Sequence, residues 1–133
     1  WNLENEATDL QGFDVGLMPI TDDPWTRGKG GYKLLQYMAT GLPVVTSPVG
    51  INREIVEDGS SGLWASTPDE WEDRIRRLID DIGLRRSMGQ CGRARVEAKY
   101  ALVIHQERLL TRLRELLDQR PGNRSTVAKC VYH

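Results

Sequence analysis

The residues with the strongest chemical suggestion are Arg27-Gly28-Lys29-Gly30-Gly31-Tyr32-Lys33. Three cations and three glycines lie in seven positions, after an apolar run and before a helix-like one. Glycine lets backbone N–H groups approach a ligand closely, and a helix N-terminus offers unpaired N–H groups and a dipole that favours an anion. The segment reads as a phosphate cradle, or as a flexible glycine loop with solvated lysines. It matches neither the P-loop nor the dinucleotide fingerprint. Gln36 lies on the helix that follows, away from the apolar set Leu34, Leu35 and Met38. Its amide can hydrogen-bond ligand hydroxyls, as any exposed helix glutamine can.

Other candidate groups read more plainly. Asp22-Asp23-Pro24 is turn chemistry rather than a metal site, with no histidine or third carboxylate beside it. His105 and His133 are isolated, and no nucleophile and base stand together. Arg74, Arg76, Arg77, Arg85, Arg86, Arg93 and Arg95 are interleaved with acids, as on a solvated helix face with i,i+4 pairs. Cys91 and Cys130 fit no zinc spacing or disulfide framework and read as free thiols of a reducing, cytoplasmic compartment.

The elements that must position the loop follow from pattern. Residues 3–11 read as a short helix and 13–18 (FDVGLM) as a strand buried on both faces. A loop fills 19–31, and a helix over 32–40 ends at Gly41. A second strand spans 42–46, and Asn52 can cap a short helix through Val56. A third strand spans 63–65. Thr67-Pro68-Asp69-Glu70 then opens a helix with a capping box and Pro at its first position. Helices follow near 84–99 and 101–118, the last with a leucine stripe at 102, 109, 113 and 116 that reads as core, and 119–133 reads as a frayed tail. Strands alternating with helices predict an α/β fold with a parallel, doubly wound sheet. Three strands are few for one, and strand 13–18 reads as central with nothing upstream to pair on its far side. Together with an opening Trp1, this predicts a piece of a larger domain.

Composition sets the outer limits. The 133 residues carry 18 Lys+Arg against 19 Asp+Glu, a net charge of -1, which argues against a dedicated nucleic-acid binder. No apolar run approaches the roughly 20 residues of a membrane span.

The string GGYKLLQYMATGLPVV at 30–45, followed by SPVG at 47–50, EIV at 54–56 and GSSGL at 59–63, resembles the C-terminal domain of GT-B glycosyltransferases of family 4. FDVGLMP at 13–19 resembles that family's strand before the glycine-rich loop, and the likeness covers residues 1–118. It implies a Rossmann-like half of the donor domain, with the three strands side by side and the last helix crossing to a separate N-terminal acceptor domain. It implies retaining transfer of a sugar from a nucleotide-diphosphate donor to a glycan, lipid or small-molecule acceptor, without a bound metal or other cofactor. It assigns donor binding to Gly28, Lys29, Gly30, Gly31, Lys33, Leu34 and Gln36. The family often has two glutamates eight positions apart. Here Gly28 and Gln36 hold those places, so the ribose contact passes to an amide and the sugar contact is lost or moves to a neighbour. The resemblance further implies that this chain alone is inactive, and that the whole enzyme is cytoplasmic with membrane-surface contact. A sugar-nucleotide epimerase or phosphorylase of the same fold, and a non-catalytic interaction module, are the other function classes.

Overall fold

The computed structural model describes residues 6–119. Its elements are α1 (Glu6–Gln11), β1 (Gly16–Met18), α2 (Pro24–Arg27), α3 (Tyr32–Ala39), β2 (Val44–Thr46), α4 (Asn52–Ile55), β3 (Leu63–Trp64), α5 (Pro68–Asp80), α6 (Ile82–Lys99) and α7 (Leu102–Asp118). The three strands form one parallel sheet in the order β1-β2-β3, with Gly16 opposite Val44 and Val45 opposite Leu63. The α/β, doubly wound reading holds.

β2 is central, and all three of its residues are buried. Successive strand side chains point to opposite faces, and the two cores divide on that alternation. Val44 packs with Leu34, Met38, Ile55 and Val56 on the face of α3 and α4. Val45 packs with Leu63, Ala65, Leu78 and Met88 on the face of α5. α6 serves both faces, placing Met88 in one cluster and Val96 against the other. Each fully buried Leu or Met in these clusters contributes about 1.5–3 kcal/mol of burial.

β1 departs from expectation. It is three residues long rather than six, Leu17 is 41% exposed, and β2 is its only partner among the described residues. The run 13–18 is therefore not buried on both faces here. The chain is still closing α1 at its start: the N–H groups of Gly12 and Phe13 donate to the carbonyls of Asp9 and Leu10. The ladder begins only at Gly16, whose N–H donates to Pro43 O at 2.9 Å.

Two helices also differ. The loop expected over 19–31 contains α2, one turn long. Asp23 accepts from the N–H of Thr26 at 2.9 Å, Thr26 Oγ1 accepts from the N–H of Asp23, and Pro24 fills the first helical position. Asn52 does not cap α4 but lies within it, buried, with its amide donating to Thr46 Oγ1 at 3.0 Å and Ser47 O at 3.3 Å. α5 starts as expected, with Thr67 and Glu70 in a capping box.

The chain divides into two units, residues 1–101 and 102–133. Taken by itself, the second presents α7, none of whose residues is buried. Within that unit the leucine stripe is not buried, since a lone helix has no second layer of its own against which to bury it. No helix among the described residues is long and apolar enough to cross a membrane. The tail from 120, with Cys130 and His133, lies outside the described residues, as do positions 3–5 of the first helix. Cys91 is free and exposed.

Candidate functional site

The loops that leave the carboxyl ends of β1 and β2 are bound to each other. Ile20 N–H donates to Ser47 Oγ at 3.1 Å. Gly50 has φ +54°, and a Cβ there would lie 2.7 Å from Arg27 O, so only glycine lets the β2–α4 turn approach the end of α2 this closely. Arg27 Nε lies 2.6 Å from Asp22 Oδ1. That hydrogen bond holds the Asp22 carboxyl below its ordinary range, and the positive charges of Arg27 and Arg53 add to the effect. Asp23 is lowered as well, first by the Thr21 hydroxyl (2.7 Å) and then by the N–H of Thr26. The two aspartates are therefore occupied in turn and helix-cap work. The described residues hold no cluster of three His, Cys, Asp or Glu that could hold a metal ion.

The glycine-rich loop ends on a bare helix start. Gly31 is the N-cap of α3 in the left-handed region, φ +61°, and no side chain caps the helix. A Cβ at Gly31 would meet Ile55 Cδ1 at 2.4 Å, so α4 fixes this backbone from behind. Gly28 closes α2, and Lys29 N–H donates back to Thr26 O at 3.1 Å. Gly30 has open space around its Cα. Lys29 and Lys33 are exposed and Gln36 is half-buried. Leu34 has no exposed surface, belongs to the core, and donates its N–H to Gly31 O at 3.0 Å. Among the assigned residues, Gly28–Gly31, Lys33 and Gln36 thus sit on one loop and the helix turn it feeds, while Leu34 anchors that turn from inside.

Two features escaped the sequence reading. The first is a cavity of about 560 Å³ outside the carboxyl ends of all three strands, with Thr21 and Asp22 from the loop after β1, Ser47 from that after β2, Arg53 from α4, and Ser66 and Trp71 beyond β3. The second is Arg95. Its Nε and Nη2 donate to the carbonyls of Ile55 and Glu54, both at 2.8 Å, and Nη1 reaches Glu57 Oε2 at 3.2 Å. Tyr100 Oη adds a bond to Glu54 O at 3.3 Å. Arg85 likewise donates to the carbonyls of Leu78 and Ile79 at the end of α5, both at 2.7 Å. These two arginines correct the reading of the whole run as a solvated face. The expected i,i+4 pairs are Arg76 with Glu72 and Arg93 with Glu97.

The family model described as glycosyl transferases group 1 matches residues 4–81. The chain belongs to that family. The glycosyl transferases group 1 relatives include D-inositol 3-phosphate glycosyltransferase of Paenarthrobacter aurescens, 30% identical over 69% of this chain and 22% of its own length. The chain thus spans about a fifth of that relative. Sucrose-phosphate synthase from Thermosynechococcus elongatus shares the fold, with a TM-score of 0.78 at 24% identity over 88% of this chain and 29% of that one. Anabaena Alr3699/HepE, solved with UDP and glucose, does so with a TM-score of 0.70 at 19% identity over 80% of this chain and 28% of that one. These likenesses carry the Rossmann-like, GT-B reading of the sheet and its helices.

Proposed function

We propose that this chain forms part of the donor site of a retaining glycosyltransferase that moves a sugar from a nucleoside-diphosphate donor to an acceptor hydroxyl. The observation that carries this reading is the start of α3. Its N-cap is a left-handed glycine, no side chain caps it by a hydrogen bond, and Lys29 and Lys33 flank it at the carboxyl edge of a parallel sheet. In a doubly wound sheet ligands lie at that edge. Backbone N–H groups and the helix dipole there suit a diphosphate, and they suit it more as charge builds up on the leaving group. Stabilisation that grows toward the transition state is what raises the rate.

The residue roles follow. Gly28 and Gly30 leave room for the phosphates, Gly31 sets the angle of the helix start, Lys29 and Lys33 supply charge, and Gln36 offers an amide to the nucleotide ribose. Leu34 acts only by holding the turn. Neither a metal nor another cofactor is needed in this scheme, since the leaving diphosphate is met by N–H groups and lysines. The acceptor, whether glycan, lipid or small molecule, belongs to a separate N-terminal domain, and the 133-residue chain alone transfers no sugar. Cytoplasmic placement with membrane-surface contact of the whole enzyme is part of the same reading.

Titration of the chain with UDP, GDP and ADP, followed by amide chemical shifts, tests this. At least one nucleotide shifts residues 28–36, and Gln36→Ala weakens that response. If none of the three nucleotides moves those amides, the donor reading fails.

A further inference from the structure

The cavity outside the three strand ends has a wall the donor reading does not use. Arg53 stands in it, held at two points. Its Nε donates to Pro48 O at 2.5 Å, and its guanidinium lies over the Trp64 ring, 5.8 Å from the centroid. Both contacts orient the group and leave its two terminal nitrogens without a hydrogen bond or ion pair among the described residues. Arg85 and Arg95 are also anchored on backbone carbonyls, but they use their terminal nitrogens on further carbonyls and carboxylates. Arg53 does not. A guanidinium oriented in advance, with one edge open, matches the two oxygens of a phosphate or carboxylate, and little freedom is lost on binding.

The rest of the lining fits what would carry such an anion. Asp22 is the one carboxylate in the cavity wall; its ion-pair partner is Arg27 at 2.6 Å, and it feels the charge of Arg53 without a hydrogen bond or ion pair to it. It can accept from a ligand hydroxyl. Ser47 Oγ takes the N–H of Ile20 and keeps its own proton to donate. Ser66 adds a hydroxyl and Trp71 an apolar ring. A volume of about 560 Å³ lies within the range of small-molecule sites.

We propose that this cavity is an oxyanion subsite, with Arg53 as the binding residue, for a sugar or polyol bearing a phosphate or a carboxylate. Its lining includes none of residues 28–36, which form the diphosphate cradle; Arg53 lies on α4, and the cradle lies on the loop into α3. The proposal goes beyond the donor reading and does not depend on it.

The test uses the full chain with glucose 6-phosphate, glucuronate and glucose, read by amide shifts and by the fluorescence of the tryptophans. One or both anions shift the amides of residues 47–53 and 66, and glucose does not. A response to the phosphate alone or to the carboxylate alone assigns the anion. Arg53→Gln weakens binding about tenfold or more, and Arg53→Lys, which keeps the charge but not the fork, falls between. Both variants keep the wild-type amide spectrum elsewhere. The proposal is overturned if neither anion moves these amides, if glucose moves them equally, or if Arg53→Gln binds as tightly as wild type. UDP added separately reports on residues 28–36, so a silent cavity beside a responsive cradle overturns the subsite and leaves the donor reading standing.

Discussion

Two helices start at the same edge of the sheet, and they start in opposite ways. α5 closes its own N-terminus: Thr67 Oγ1 accepts from the N–H of Glu70 at 3.3 Å, and Glu70 accepts from the N–H groups of Ser66 at 2.7 Å and Thr67 at 3.3 Å. α3 has a glycine where a capping side chain would stand. Helix starts leave up to four N–H groups without intrahelical partners, and a cap is worth about 1 kcal/mol. α5 takes that stabilisation from its own sequence. α3 forgoes it and relies on α4, packed behind Gly31 and tied to α6 by Arg95. The contrast separates a helix that only has to be stable from one whose first turn stays open to a ligand.

Gly31→Ala is the strongest way to break this contrast. The new Cβ combines a left-handed backbone with a 2.4 Å approach to Ile55 Cδ1. A loss of about 3 kcal/mol is expected in urea unfolding, together with loss of the nucleotide response at residues 28–36. A mutant of wild-type stability would show that α4 does not hold the helix start. Arg95→Ala comes next, at about 2 kcal/mol, because two carbonyls of α4 lose a charged donor. Its diagnostic is amide hydrogen exchange. Exchange speeds up at α4 and at Gly31 more than along α5, whereas uniform acceleration would reduce Arg95 to a general staple.

What the sequence revealed here was local. Thr67-Pro68-Asp69-Glu70 announces α5 because every partner in its capping box lies within three residues. The glycine loop and the β–α alternation are visible for the same reason. Arg95 was hidden because its acceptors lie about forty positions upstream, at Glu54, Ile55 and Glu57. Asn52 has the residue type of a helix cap, yet its amide is used across the fold on Thr46 and Ser47. The cavity with Arg53 has walls from three separate loops, so no contiguous stretch encodes it. β1 came out shorter than its apolar run because hydrophobicity marks burial, while the turn bonds of Gly12 and Phe13 decide where pairing begins.

The smaller predictions sharpen the comparison from the α5 side. Thr67→Ala removes one cap and costs about 1 kcal/mol, again by urea unfolding. The nucleotide response at residues 28–36 stays intact, in contrast with Gly31→Ala. A parallel loss of both would mean that the two helix starts are coupled, and the contrast between them would collapse.

The subtlest effect is in pH. Glu70 is held below the usual glutamate range, first by the N–H of Ser66 and then by that of Thr67. A carboxylate with a lowered folded-state pKa adds stability above its unfolded value of about 4.3, and that stability disappears as pH falls through the lower folded value. Glu70→Gln therefore lowers stability near neutrality, where two charge-assisted bonds are lost, and flattens the acid limb, the two proteins converging as pH falls. α3 has no counterpart, because no acidic residue stands in its first turn. Urea unfolding of both proteins between about pH 6 and pH 2 reads the difference directly. An unchanged slope in the variant would mean that the Glu70 bonds do not persist in solution, and that α5 is held at its start by Thr67 and Pro68 alone.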